Sequence, residues 1–333
     1  GISDTDDTTN IRLPRFGLLD LPSDSVFVRL FYDIGTGDVL SNQVLMSLTD
    51  TIQVGSPLDG NNYSFSYVIE DSAGNVSDTS DALSLVVDIS KPTVPNQADL
   101  TDASDGGESS TDDVTYLATP SFTVVGSDVG DFVSLKYYPV PPSGGDTVLV
   151  STQPVLSDTV SFTSLALTDS TYKFYPVTND TAGNEREGAT LTVTIDRVIP
   201  TAIISFDGDS LVRSGDVQTL ATFQFSEEMD ATTNLPKVNV DYPGGTANDL
   251  QNQLLTNGGD GTVWSYAIPL NTAGLEAIDG VISLSLNSTD LAGNIVPVDN
   301  ITGLSVLRVD NTKPVFSSFY VDSDTSINDL NKF

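Results

Sequence analysis

The stretch YSFSYVIEDSAGN, residues 63–75, decides how this chain is read. Tyr63, Phe65 and Tyr67 fall at every second position, so an extended strand would have one apolar face. Asp71-Ser72-Ala73-Gly74-Asn75 then follows as a turn: glycine and asparagine accept positive φ, and aspartate bonds its own backbone. The same text returns twice in register. Tyr172, Phe174 and Pro176 precede Asp180-Thr181-Ala182-Gly183-Asn184; Ile282, Leu284 and Leu286 precede Asp290-Leu291-Ala292-Gly293-Asn294. The spacings are 109 and 110 residues, each the length of a small domain. Pro176 breaks the apolar row and points to an edge strand or a bulge.

Working outward, each copy continues into a second alternating strand: Leu83, Leu85, Val87; then Leu191, Val193, Ile195; then Leu304, Val306. Each strand closes on an aspartate with a proline four residues later: Asp88 and Pro92, Asp196 and Pro200, Asp310 and Pro314. Proline cannot continue a ladder, so these are strand ends leading into stiff linkers. The boundaries that follow are 1–92, 93–199 and 200–313. Residues 314–333, which resemble the opening of the third unit, start a fourth.

Composition agrees with strands and turns. Hydrophobic residues make up 38% of 333, and the net charge is -33, from 46 acidic against 13 basic residues. Of the acids 39 are aspartate, a residue of turns and oxygen-ligand cation sites rather than of helices. Such a surface repels nucleic acid and anionic membranes and attracts divalent cations. No cysteine and no histidine occur, which excludes disulfides, thiolate chemistry, imidazole metal sites and histidine acid–base catalysis. No apolar run reaches the roughly 20 residues of a membrane span. With no leader visible at Gly1 and no sorting tail at Phe333, the chain reads as an excerpt of something longer.

Units of about 108 residues built from strands and turns predict an all-β fold, tandem immunoglobulin-like β-sandwich domains in an elongated rod. Tyr63 stands four residues after Asp59 and two before Phe65. That placement fits a tyrosine corner, in which the ring hydroxyl bonds the chain upstream; it also fits a plain strand aromatic.

The D-x-A-G-N turn, VDNTKP (309–314), ASDGGESSTDDVTYLATPSFTVVG (103–126) and DGTVWSY (260–266) resemble the bacterial Ig-like repeats of giant, calcium-dependent surface adhesins. FSEEMD (225–230) resembles a related Ig-like type of S-layer proteins. The resemblance runs over nearly the whole chain. The first unit departs most, because the region RFGLLDLPSDSVFVRL (15–30) lacks the usual Thr-Pro lead-in.

Sandwich topology says where the acids meet. The turn after a domain's first strand lies at its bottom, beside the outgoing linker; the turn before its last strand lies at the top, beside the incoming one. At the first junction this gathers Asp4, Asp6, Asp7 and Asp88 with Asp128, Asp131, Asp180 and Asn184. At the second it gathers Asp105, Asp112, Asp113 and Asp196 with Glu227, Glu228, Asp290 and Asn294. Asp71 and Asn75 at the top of the first unit, and Asp310 at the end of the third, are the same positions facing further neighbours. Two like charges about 4 Å apart repel by roughly 4 kcal/mol at an effective dielectric of about 20. Calcium, which takes roughly six to eight oxygens in irregular geometry, relieves this; magnesium and zinc fit the donor set less well. Residues 99–113 hold six acids and 114–127 none, a clustering that a general solvation coat does not explain.

Other motifs carry less. Sequons at Asn62, Asn75, Asn179, Asn287 and Asn300 are frequent by chance in a chain this rich in serine and threonine. Trp264 is read as core rather than as a sugar-stacking platform. Glu227 and Glu228, taken as neighbours on one strand, point to opposite faces and cannot flank one bond. No active site is expected in these residues.

The resemblance and the acids together imply a non-enzymatic, extracellular segment of a cell-surface protein: Ig-like units rigidified by Ca2+, each adding about 35–40 Å. Its partners are neighbouring Ig-like domains of the same longer chain, with self-assembly or a host or surface ligand as further options. Nucleic acid and direct membrane insertion are not among them. An S-layer or filament building block, and accessory carbohydrate-binding modules of a secreted enzyme, are the alternatives.

Overall fold

The structure is a computed structural model describing residues 7–18, 21, 25–45, 51–140, 146–208, 210–213, 215–244, 249–270, 279–303 and 306–318. Asp4, Asp6 and Leu304 lie outside these. The chain forms two compact units, Gly1–Arg197 and Val198–Phe333. The described regular structure is strand throughout, apart from one 3-10 turn at Val298–Asn300.

The first unit holds two sandwiches. In the first domain a five-stranded sheet runs in the order Thr8–Thr9, Leu83–Val87, Asn61–Asp71, Ser25–Asp33, Val39–Leu45. It faces a two-stranded sheet, Arg15–Gly17 with Thr51–Gln53. The alternating residues Tyr63 and Phe65 turn inward onto Val28, Leu30 and Ile52. Arg15–Gly17 is the strand that the sequence left without a Thr-Pro lead-in. Pro14 serves in its place: its carbonyl accepts from Val54 N–H, as the Pro120 carbonyl accepts from Ser164 N–H in the next domain.

The second domain sets Asp99–Leu100, Ser121–Val125 and Thr159–Thr163 against a larger sheet. That sheet runs Val148–Pro154, Phe132–Val140, Ser170–Asn179, Leu191–Ile195, Val114–Thr115. Phe122 and Phe174, both fully buried, meet across the layers with ring centroids 4.3 Å apart. Burying two such rings contributes on the order of 3–6 kcal/mol. Pro176 is not at an edge. It sits mid-sheet, where Leu191–Ile195 has ended and Glu185–Glu187 has not yet begun to pair, so its missing N–H costs no ladder bond.

The second unit is one sandwich of two five-stranded sheets. One contains Ala202–Phe206, Gln218–Phe225 and Val263–Pro269; the other contains Leu211–Val212, Val306–Val309, Gly280–Asn287, Lys237–Asp241 and Leu250–Leu254. Trp264 is 1% exposed and donates its indole N–H to Gly261 O at 2.8 Å. It is core, and it offers no stacking platform. Glu227 and Glu228 lie in a bend after Gln218–Phe225, not on the strand itself, because the ladder stops at Phe225.

In all three sandwiches a short strand early in the domain runs parallel to the domain's last strand. Thr8–Thr9 pairs Leu83–Val87, Val114–Thr115 pairs Leu191–Ile195, and Leu211–Val212 pairs Val306–Val309. The tyrosine corner is present. Tyr63 OH donates to Asp59 O at 2.9 Å, and Tyr172 OH donates to Thr168 O at 3.0 Å.

Candidate metal sites

The three acidic turns fold alike. Asp71 N–H donates to Asn75 O, Gly74 N–H to Asp71 O, and Asn75 donates its backbone and side-chain N–H groups back to the Asp71 carboxylate. Asp180 with Asn184 and Asp290 with Asn294 repeat this set. Gly74, Gly183 and Gly293 all take positive φ, near 90°, where a Cβ would be strained. Asn75 and the local backbone hold the Asp71 carboxyl below its ordinary range. These aspartates are therefore already engaged by their own turns. The turn is a structural device first, and any cation would share a carboxylate that is partly satisfied.

What the middle turn adds is reach. Asn184 Nδ2 also donates to Asp88 O at 2.9 Å, across most of a domain in sequence. Asn10 N–H donates to Ala182 O at 3.1 Å and its side chain to Gly183 O at 2.8 Å. The bottom of the first domain and its linker are thus bonded directly to the top of the second. Beside these bonds stand Asp128, Asp131 and Asp180. Burial, then the charges of Asp128 and Asp180, push the Asp131 carboxyl up. Asp128 accepts from Thr93 Oγ1 of the linker at 2.6 Å. Asp88 turns one carboxylate oxygen to Ser90 N–H. Asp7 is exposed, with a left-handed backbone at φ 50°.

A second cluster closes the bottom of the second domain. Asp113 O accepts from Thr194 N–H and Thr115 O from Asp196 N–H, which fixes Asp112 and Asp113 beside the end of Leu191–Ile195. Asp113, like its counterpart Asp7, is left-handed, at φ 60°. Asp105 is 3% exposed; among the described residues its Oδ1 is buried with no hydrogen-bond partner, and its Oδ2 receives a 3.4 Å contact from Asp113 N–H. Burial first, then the Asp112 and Asp113 carboxylates, push the Asp105 carboxyl up to about 6. Burial, Asp99 and Asp112 likewise raise Asp113. An orphaned buried carboxylate oxygen among further carboxylates, with no nitrogen or sulfur donor in the set, fits a hard cation of calcium's kind.

Within the second unit, Glu227 and Asp290 come together: a carboxylate oxygen of each lies within 4.8 Å of the other. Asp290 is buried and Glu227 half-buried. Glu228 is exposed and lies beside Gly261. Asp71 is half-buried and Asn75 exposed, and Asp310 takes Thr312 N–H.

The profile of the bacterial Ig-like domain matches residues 1–89 and again 91–197. The chain belongs to that family. Among solved structures its Ig-like repeats are similar to a tetra-tandem repeat from the extending region of a large adhesion protein: 17% identity, 92% of this chain, 72% of that one, TM-score 0.34. A 1.5-MDa bacterial ice-binding adhesin matches at 18% identity, over 87% and 88% of the two chains, TM-score 0.32. Fibronectin(III)-like modules of Clostridium thermocellum CbhA match at 10%, over 58% and 92%, TM-score 0.38. Among curated proteins no relative matches. None of the described helices is long and apolar enough to cross a membrane.

Three contributors to these Ig-like sites escape a sequence reading. Asn10 and Thr93 give no signal, since lone polar residues in linkers are everywhere in this chain. Asp99 was legible only as one acid among six; its strand position beside Asp113 is a product of the fold.

Proposed function

We propose that this chain is a spacer segment of an extracellular surface protein, in which calcium held by aspartates at the domain ends keeps successive Ig-like units in fixed register. The observation that carries the reading is Asp105: a buried carboxylate with one orphaned oxygen, flanked by Asp112 and Asp113. Folding that group without a counter-charge costs stability, and a calcium ion supplies the charge. Asp105, Asp112 and Asp113 would hold one ion. Asp128, Asp131 and Asp180 would hold another beside the Asn184–Asp88 bond. Glu227 and Asp290 offer the same donor pair in the second unit. When bound, the metal neutralises repulsion and crosslinks loops; the chain supplies only oxygen ligands, and no reaction is involved.

The similarity to an extending region of a large adhesion protein supports a spacing role over an accessory module of an enzyme. Small-angle scattering of the 333-residue chain, with calcium and then with chelator, tests the reading. Chelation should broaden the distribution of maximum dimensions and lower the melting temperature. Identical profiles and melting curves in the two conditions would sink it.

A further inference from the structure

The larger sheet of the second domain turns one face to the core and the other to solvent. Val133, Leu135 and Tyr137 point inward from Phe132–Val140, as Tyr172 and Phe174 do from Ser170–Asn179. Alternation therefore turns Lys136 and Tyr138 outward, with Lys173 and Tyr175 beside them. Lys136 pairs with Tyr175, and Tyr138 with Lys173, across the two strands. The result is a two-by-two block with lysines on one diagonal and tyrosines on the other. The rings of Tyr138 and Tyr175 meet, with centroids 6.2 Å apart and planes tilted by 59°. All four residues are half-buried.

The fold does not require these residues. Tyr32 opposite Phe65 in the first domain matches Tyr137 opposite Phe174 in the second. Phe31, Asp33, Ser64 and Ser66 therefore hold the same four places there. In the third domain Val240 stands opposite Leu284, and the places are held by Asn239, Asp241, Ser283 and Ser285. Where both sibling domains carry an aspartate, the second carries Tyr138, and it adds two lysines that neither sibling has.

Those charges are also unneutralised. Arg12, Arg29, Arg197 and Arg213 each lie against a carboxylate. Among the described residues neither Lys136 nor Lys173 has an ion-pair partner, and their cross-strand neighbours Leu149, Tyr175, Tyr138 and Thr192 are uncharged. In a chain of net charge -33 this face is a cationic exception. Beside the block lies an open groove of about 450 Å³, rimmed by Phe132 and Pro154 and reached by Lys136. Ser134 and Thr152 line it, their hydroxyls bonded to each other at 2.7 Å. Glu185 stands at the opposite side, its carboxylate taken by Asn179 Nδ2 at 2.7 Å.

We propose that this outer face of the second domain binds a linear acidic polysaccharide, a polymer of uronic acid rings. Lysine heads take the carboxylates, tyrosine rings pack against the apolar faces of the sugars, and the hydroxyls beside them meet sugar hydroxyls. An acidic peptide offers the charges without the flat ring faces. A neutral glycan offers the rings and leaves both lysines unmatched. From Phe132 to Tyr138 the strand rises about 20 Å, room for several sugar rings in a row. Binding here goes beyond a spacing role and needs no metal.

The test is isothermal titration calorimetry of the 333-residue chain in chelator, with an alginate hexasaccharide as the probe. Chelator stops calcium from bridging the probe to the chain's own carboxylates, and it keeps this outcome independent of the calcium-dependent scattering. Binding should saturate at one probe per chain and weaken severalfold as salt rises from about 50 to about 500 mM. Tyr138→Asp with Lys173→Ser installs the residues that the first domain already carries at those places. The pair should weaken binding by about tenfold or more, with circular dichroism and melting curve unchanged. Lys91→Ser, in the linker, should leave the affinity as it was. Maltohexaose should not bind, and hexaglutamate should bind at least about tenfold more weakly than alginate. No saturable alginate binding, an affinity indifferent to Tyr138→Asp with Lys173→Ser, or equal binding of hexaglutamate would each overturn the proposal.

Discussion

Asp105→Asn replaces one carboxylate oxygen by an amide and should move stability in opposite directions with and without calcium. In the folded chain Asp105 keeps its proton up to about pH 6, whereas an unfolded aspartate loses it near 3.8. The group is therefore least costly to fold below pH 3.8. Its contribution is lost as pH rises through 6 and stays lost above it. The gap between 3.8 and about 6 corresponds to about 3 kcal/mol at neutral pH. In chelator at pH 7, Asp105→Asn should recover much of this. For a domain of this size that is roughly 10 °C or more in melting temperature. Hydrogen exchange of the Leu191–Ile195 amides, which pair with Val114–Thr115 beside the cluster, should slow by about 100-fold. In about 10 mM calcium the wild type should gain about 1.4–2.7 kcal/mol, for a site of about 10⁻⁴ to 10⁻³ M affinity. The variant should gain little. If Asp105→Asn is no more stable than wild type in chelator at pH 7, the buried-charge argument fails. If it keeps the full calcium response, Asp105 is not a ligand.

Tyr63→Phe deletes the bond to Asp59 O while keeping the ring, and should cost about 1 kcal/mol in urea unfolding of the first domain. Asn184→Ala removes both the turn closure and the bond to Asp88 O; exchange at the Asp88 end of the linker should rise about fivefold or more. Trp264→Phe leaves a void in the third core and removes the indole bond to the Gly261 carbonyl, which keeps its bond from Met229 N–H, and should lower stability by about 2–4 kcal/mol, read from its thermal transition.

The alternation around Tyr63, Tyr172 and Ile282 carried most of the fold, because a sheet with one buried face writes its period directly into the chain. Short pieces left no such mark. Asp99–Leu100 has two residues, too few to show a period, yet it covers the outer edge of Ser121–Val125. The acidic turns were legible as turns from glycine and asparagine alone. Their partners were not, since Asn184 meets Asp88 only through the path of the whole domain. Asp105 looked like Asp112 on paper; burial, which depends on the loop folding back toward Ser121, makes it different. Tyr63 and Tyr172 stand alike, two residues before Phe65 and Phe174, and both bond a backbone carbonyl that any residue supplies, so only the fold shows that the corner forms.

In each sandwich, main-chain bonds join a short early strand to the parallel strand that leads out of the domain. They run from Val86 to Asp7 and Asp88 to Thr9, from Thr194 to Asp113 and Asp196 to Thr115, and from Arg308 to Ser210 and Asp310 to Val212. Tension applied along the polypeptide would load both members of such a pair at once, in shear, instead of peeling them off singly. Each module therefore carries a shear latch between an early strand and its exit strand, and a pull along the chain would have to break that latch before a core gave way.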